Sequence, residues 1–287
     1  MNNPIIISDF YPELLQSSSG NAFVIKTTNP ELFQDIYKLV NQNNKLHCIY
    51  FSDLSKSLSS IDFKPEWTGI PISVFVRVLG ELKQLLPKLG IIRSLNLRLF
   101  LPAHPDENLT SIKILSSLGI PTGVFFIKGE KINWSLLNDL MYYYFYTINK
   151  HADIEPFKYI ADHYHHTHIN FNAVYFNHPL KYIFCNKFGI TSLTEANLND
   201  GKNGDLHISE LNENWKNEKK LDFERDLMLN FKHLNACSVC PGWRICLSAF
   251  KEQIEENPGC TDFFTEMLDA CEFYNKTRQN KPELCSL

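Results

Sequence analysis

The first half of the chain alternates short apolar runs with helical patterns, and this alternation constrains the fold more than any other feature. The runs are rich in β-branched and aromatic residues and cover residues 5–7, 22–27, 46–52, 95–101 and 123–127. Runs of this kind are typical of strands covered on both faces. Apolar residues at helical spacing occupy residues 30–41, 72–89 and 109–118. The pattern predicts an α/β fold with a parallel sheet, closed or partly closed, and a partial (β/α) barrel over residues 1–150 fits the count.

The pattern changes after residue 150, which indicates a second, smaller domain over residues 151–287. A short helix entered through Pro156 is predicted first, followed by a hairpin region over residues 171–176 and 182–193. A loop rich in Gly and Asn covers residues 199–205. Two further helices are predicted, one starting at Leu206 and running to Trp215, the other amphipathic over residues 263–274.

Composition excludes several classes of function. The chain has 287 residues, 44% of them hydrophobic, and a formal net charge of -4 with no local run of Lys or Arg. Nucleic acid is therefore not an expected partner. The first residues lack the pattern of a signal peptide, and no segment approaches the roughly 20 apolar residues of a membrane span. We expect a cytoplasmic protein without a membrane partner, whose eight cysteines serve as ligands or buried thiols and not as disulfides.

The strongest chemical signal is a cluster of cysteines in the second half. Cys237, Cys240 and Cys246 lie within ten residues, and Cys260 follows in Asn-Pro-Gly-Cys. A C-x2-C turn directs both sulfurs to one side of a tight loop, which suits tetrahedral zinc or one face of an iron-sulfur cube. Cysteine is also a common buried residue, and a close pair can form a redox disulfide. The number and spacing of the thiols favour a metal, either a 4Fe-4S cluster or zinc.

The order of these motifs resembles the C-terminal part of radical-SAM peptide maturases, the SPASM domain. The cysteine segment and residues 259–269 are most similar to maturases associated with CXXX-repeat precursors, and the likeness spans residues 94–274. The resemblance implies a partial (β/α) barrel of radical-SAM type followed by a small SPASM-like metal-binding domain. The residues that carry it, besides the cysteines, are Ile154-Glu-Pro-Phe, Gly204-Asp-Leu with Leu211 and Trp215, Arg98-Leu-Phe-Leu-Pro, and Ile114-Leu-Ser-Ser-Leu-Gly-Ile.

The departures from that family are equally informative. Radical-SAM enzymes hold their catalytic cluster with C-x3-C-x2-C near the first barrel strand, and this chain has no such motif. Cys48 is the only cysteine before Cys185, and one thiolate cannot hold a cube that needs three protein ligands. We therefore expect no SAM cofactor and no reductive SAM cleavage.

One auxiliary site of the family also lacks its ligands. The position four residues after the C-x2-C-x5-C motif is Phe250, and no cysteine follows Gly189 at the family's spacing. The resemblance leaves the second auxiliary site, with Cys237, Cys240, Cys246 and Cys260 as metal ligands. Cys271 and Cys285 are the alternatives to Cys260 as fourth ligand.

Three other groups of residues invite functional interpretations that we consider weaker than structural ones. His166 and His168, in a histidine-rich run, are more typical of a polar loop or sheet edge than of a metal site. Glu155 is more typical of a helix-capping carboxylate than of a catalytic acid or base. The aromatic run over residues 142–146 is expected to form the buried and boundary surface of a helix.

Two main functions agree with these observations. The first is an accessory pseudo-radical-SAM protein of ribosomal peptide maturation, which binds a precursor peptide, a radical-SAM maturase subunit, or both. Its metal centre is then structural, because four thiolates fill the coordination sphere that a catalytic site leaves partly open. The second is a peptide-modifying enzyme that uses the cluster. A third possibility is electron transfer through a reducible cluster to a partner enzyme.

Overall fold

A computed structural model describes residues 4–199, 206–211, 217, 221–225, 228–229, 235–250 and 259–279. Its fold is mixed α/β, with a mostly parallel sheet flanked by helices, as the alternation of sequence patterns predicts. The chain separates into two compact units, one formed by Met1–Phe100 with Phe176–Glu224 and the other by Leu101–Tyr175 with Arg225–Leu287. The domain boundary predicted at residue 150 lies inside the second unit and stays a prediction.

Ten strands lie in the described part of the chain: β1 (Ile5–Asp9), β2 (Ala22–Thr27), β3 (Lys45–Ser57), β4 (Ile72–Val78), β5 (Leu97–Pro102), β6 (Thr122–Phe125), β7 (Ile154–Glu155), β8 (Tyr182–Cys185), β9 (Ile190–Ser192) and β10 (Leu206–His207). The α-helices described are α1 (Pro12–Ser17), α2 (Phe33–Asn43), α3 (Leu82–Leu85), α4 (Leu89–Ser94), α5 (Glu107–Ser117), α6 (Trp134–Tyr146), α7 (Phe157–Asp162), α8 (Glu195–Asn199), α9 (Asn235–Ser238), α10 (Trp243–Cys246) and α11 (Gly259–Gln279).

In the first unit, β1 to β5 are neighbours in the order of the chain, and each successive pair is parallel. Right-handed crossovers that always advance in one direction place their helices on one face of the sheet. Helix α2 illustrates this, since its Phe33 ring lies 5.9 Å from the Phe51 ring of β3. On the other side of β1, β8 adds a parallel strand, and β9 and β10 follow as antiparallel strands.

The opposite face of this sheet carries a row of aromatic rings. Tyr50 of β3 lies 4.6 Å from Phe75 of β4, and Phe75 stacks on Phe100 of β5 at 4.4 Å. The Phe176 ring lies 5.9 Å from Tyr50 and 5.5 Å from Tyr182 of β8. Both faces of the sheet are therefore covered, which is why its strands appear in the sequence as continuous apolar runs.

The prediction of a helix over residues 72–89 is wrong for residues 72–78. Residues Ile72–Val78 form β4, whose partners are β3 and β5. Gly80 then turns the chain at a φ of 76°, before the short helix α3. The apolar pattern thus spans two elements, and the β-branched content of its first seven residues, bounded by Pro71, is typical of a strand.

The second unit contains the parallel pair β6 and β7 together with a helical core. Helices α6 and α11 pack through aromatic rings, with Trp134 5.4 Å from Phe263 and Phe145 5.4 Å from Tyr274. Asn138 and Tyr142 of α6 both donate hydrogen bonds to the Glu266 carboxylate of α11. This pairing holds the helix that begins at Gly259 and carries Cys260.

Two other predicted elements differ from the structure. Residues Phe171–Tyr175 form a 3₁₀ turn instead of a hairpin arm, whereas β8 and β9 do form the hairpin. Leu206 starts β10 and a 3₁₀ turn follows, while residues 212–216 of the helix predicted there lie outside the described part. Among the described residues, no helix is long and apolar enough to cross a membrane.

Candidate metal centre

The segment from Cys237 to Cys246 folds as consecutive tight turns. The Cys240 N–H donates to the Cys237 carbonyl oxygen (3.2 Å), and the Trp243 N–H donates to the Cys240 carbonyl oxygen (3.1 Å). One turn later, the Cys246 N–H donates to the Gly242 carbonyl oxygen (3.4 Å). Each turn advances the chain only a short distance along the segment, as a C-x2-C turn predicts.

The segment ends in an unusual backbone conformation. Leu247 and Ser248 both have positive φ values, 47° and 65°. Residues other than Gly adopt positive φ values only at a cost in free energy, which the surrounding contacts must offset. Here the Leu247 N–H donates to the Trp243 carbonyl oxygen (2.7 Å), and the Trp243 indole N–H donates to the Ser248 hydroxyl oxygen (3.0 Å). These bonds end α10 directly after Cys246 and turn the chain back toward the core.

Two glycines allow close packing of α11, one against the cysteine segment and the other against α6. A Cβ atom added at Gly242 would lie 2.3 Å from the Phe264 Cβ and 3.0 Å from its backbone carbonyl carbon. A Cβ atom at Gly259 would lie 2.7 Å from the Trp134 ring. Neither glycine has a positive φ, so close approach, and not backbone conformation, explains both. Gly242 and Gly259 thus serve the packing of α11.

Four thiols are near enough to interact electrostatically. Burial, with smaller contributions from the charges of Cys240, Cys237 and Cys260, raises the pKa of Cys246 to about 12. Burial also raises the pKa of Cys260, and Cys240 and Cys237 again contribute. The thiol of Cys260, which follows 14 residues after Cys246 in the sequence, thus interacts electrostatically with the thiols of the cysteine segment.

The four cysteine thiols are chemically suited to bind a metal ion. Their described arrangement, however, does not surround a single metal position. In the part of the chain that the structure describes, no three His, Cys, Asp or Glu side chains form a group that can hold a metal ion. Cys237, Cys246 and Cys260 are buried, Cys240 is half-buried, and all are free thiols. Metal binding would have to replace protons on these sulfurs and draw them together.

The alternatives for the fourth ligand differ in their surroundings. Cys271 is completely buried on α11. Burial raises its pKa to about 12, and the charge of Arg244 opposes this shift. Cys271 also contributes to the raised pKa of Tyr146 on α6, so its thiol belongs to the interface between the two helices. This agrees with the core-packing role expected from its helical stripe. Cys285 lies outside the described residues.

Phe250 occupies a place in the core of the second unit. Its ring lies 4.9 Å from Phe126, 5.2 Å from Trp134 and 5.6 Å from Phe264. Phe171 stacks on it at 6.0 Å. A phenyl ring in this cluster contributes apolar packing where the resembling family carries a cysteine ligand.

The weaker candidates have the structural roles that the sequence indicates. The Glu155 carboxylate accepts a hydrogen bond from the Tyr159 N–H (3.1 Å) in the first turn of α7, which confirms its capping role. His166 and His168 are exposed in the loop after α7. Within the aromatic run of α6, Tyr144 is buried, and Tyr142 and Tyr146 are exposed at its boundary.

The comparisons with known proteins assign no family. No family model, no curated protein and no solved structure matches this chain.

Proposed function

We propose that this chain is an accessory pseudo-radical-SAM protein of ribosomal peptide maturation in the cytoplasm. It binds a precursor peptide, a radical-SAM maturase subunit, or both, and holds one cysteine-ligated metal centre. The observation that carries the proposal is the order of Cys237, Cys240, Cys246 and Cys260 in the sequence, because the resembling family uses this ligand order in an auxiliary centre.

The strand order of the first unit supports a barrel of radical-SAM type. Doubly wound sheets reverse the direction of their crossovers at a switch point. Strands β1 to β5 instead follow one another without reversal, which is the winding of (β/α) barrels. The face opposite α2 is lined by Tyr50, Phe75 and Phe100, so a barrel closed around this face would have an aromatic interior.

The absence of a second cysteine near Cys48 is the reason to propose the loss of radical-SAM catalysis. Cys48 lies in β3, buried, with its sulfur 3.3 Å from the Ser73 hydroxyl oxygen. Burial raises the pKa of its thiol to about 11. No other cysteine precedes Cys185 in the sequence.

The metal centre has a structural role in this proposal. The four cysteines would hold a 4Fe-4S cluster or a zinc ion, and a fully ligated centre of either kind supplies a crosslink between chain segments. The segment ending at Cys246 and the helix beginning at Gly259 are the two parts joined. They already share the contact between Gly242 and Phe264.

The SAM assay separates the accessory protein from an enzyme. We expect no 5'-deoxyadenosine above the protein-free background when the anaerobically purified chain is incubated with SAM, dithionite and a CXXX-repeat peptide. A maturase with an intact C-x3-C-x2-C motif, treated identically, provides the positive control. Production of 5'-deoxyadenosine in proportion to the concentration of this chain would contradict the proposal.

The partner is tested by co-expression of the tagged chain with that maturase and its precursor peptide. We expect at least one of them to stay bound through size-exclusion chromatography, at a defined stoichiometry. Elution of the chain free of both at micromolar concentration would overturn the accessory role. The binding experiment is independent of the SAM assay. Partner binding and the absence of SAM cleavage can therefore be contradicted separately.

A further inference from the structure

The amino ends of three strands in the first unit carry a group of basic side chains. Lys45 and His47 begin β3, Arg98 is the second residue of β5, and Lys181 directly precedes β8. Since β8 and β1 to β5 are parallel, their amino ends lie at one edge of the sheet. Lys45, Arg98 and Lys181 are exposed, and His47 is half-buried.

Curvature of the sheet brings these strands together. In the strand order, β3 and β8 are separated by β1 and β2. A flat sheet would hold them about 14 Å apart, at about 4.8 Å for each step. The His47 ring nevertheless lies 6.3 Å from the Tyr182 ring of β8, and the Lys181 Nζ lies 5.3 Å from that same ring. His47 and Lys181 therefore lie around one shared neighbour, the Tyr182 ring.

Two backbone positions in this group are irregular, a bulge at His47 and a positive φ at Phe176. The pairing of β2 with β3 shifts between Phe23–Leu46 and Val24–Cys48, so His47 is the extra residue of a bulge. Bulges redirect a side chain and are frequent beside functional sites. Phe176 has a φ of 58°, which is rare for a bulky side chain, and its ring lies 6.4 Å from His47.

The basic groups repel one another. Burial lowers the pKa of His47, and the charges of Lys181, Lys45 and Arg98 lower it further. Burial and then the charge of Arg98 lower the pKa of Lys181. In the part of the chain that the structure describes, neither Lys45 nor Lys181 forms an ion pair. Folding brings like charges together here, which lowers the free energy of unfolding. A bound anion would neutralise these charges and so stabilise the folded chain.

We propose that His47, Arg98 and Lys181 bind the phosphate group of a small ligand at this edge of the first unit. Several cations match a dianion better than the single charge of a carboxylate, and Arg provides the planar donor set that phosphate oxygens accept from. The rings of Tyr182 and Phe176 offer a surface for a planar group attached to the phosphate. The site is independent of the cysteine segment.

Calorimetric titration with inorganic phosphate, at constant ionic strength, tests this site. We expect one phosphate per chain, with affinity reduced about tenfold or more in Arg98→Gln and Lys181→Gln, because each removes a hydrogen bond to a charged group. Lys38→Gln, which removes an equal charge from an exposed position of α2, is the matched control and should bind as the wild type does. Tighter binding of AMP than of phosphate would support a nucleotide as the source of the phosphate group.

The histidine gives a second readout that ion screening alone would not produce. In an NMR titration, with its signal assigned by His47→Gln, phosphate should raise the pKa of His47, because the anion favours the imidazolium form. Absence of saturable phosphate binding, equal losses in Lys38→Gln and Lys181→Gln, or binding of citrate without phosphate would each overturn the proposal.

Discussion

Replacement of Phe250 with alanine is expected to lower the free energy of unfolding of the second unit by about 3–5 kcal/mol. The side chain is 6% exposed and contacts four aromatic rings, from Phe126, Trp134, Phe171 and Phe264. Loss of the ring would leave a cavity that these neighbours can fill only in part. Urea denaturation followed by tryptophan fluorescence measures the effect, since Trp134 and Trp243 both lie in this unit.

The control for this variant is Ile148→Ala in the same unit. Ile148 is completely exposed, so its truncation should change the free energy of unfolding by less than about 0.5 kcal/mol. Equal effects of the two substitutions would mean that Phe250 is not part of the core.

The substitution Gly242→Ala should destabilise the second unit by about 1–3 kcal/mol, the usual cost of overpacking a close contact. The added Cβ would lie 2.3 Å from the Phe264 Cβ, an atom fixed by the backbone of α11. Relief therefore requires movement of the cysteine segment away from the helix. Thermal unfolding should show a lower transition temperature, and hydrogen exchange should be faster in α11.

Gly90→Ala is the matched control for that variant. A Cβ at Gly90 meets nothing within 4 Å, and the residue lies in helix α4. Alanine there should stabilise the chain by about 0.4–1 kcal/mol, because it reduces the conformational freedom of the unfolded state. If Gly242→Ala behaved in the same way, the contact between the cysteine segment and α11 would not exist as described.

The local sequence predicts much of the fold. Each of the five predicted strands overlaps a strand of the structure, because buried parallel strands consist of β-branched and aromatic runs. Residues 72–78 were missed because their apolar pattern continues into the helices that follow. The pairing of β8 with β1 has no local signal either, since residues far apart in the chain form it. Only tertiary packing decides such cases.

In the candidate sites too, the local sequence predicts some features, whereas others depend on tertiary packing. The spacing of Cys237, Cys240 and Cys246 is local, so the sequence alone predicts their turns and their proximity. The position of Cys260 depends on the docking of α11 at Gly242, which the shape of the surrounding core decides. The basic group around His47 could not be predicted, because its members come from three strands and a bulge and share no motif.

The central claim is that Cys237, Cys240, Cys246 and Cys260 hold one metal centre, and metal content after anaerobic purification tests it most directly. The wild type should contain about four iron atoms per chain for a 4Fe-4S cluster, or about one zinc ion for a tetrahedral thiolate site. Cys240→Ala and Cys260→Ala should lose that metal, whereas Cys48→Ala, a buried thiol in the first unit, should retain it. Wild-type protein without iron or zinc, or unchanged metal content in Cys240→Ala, would contradict the account.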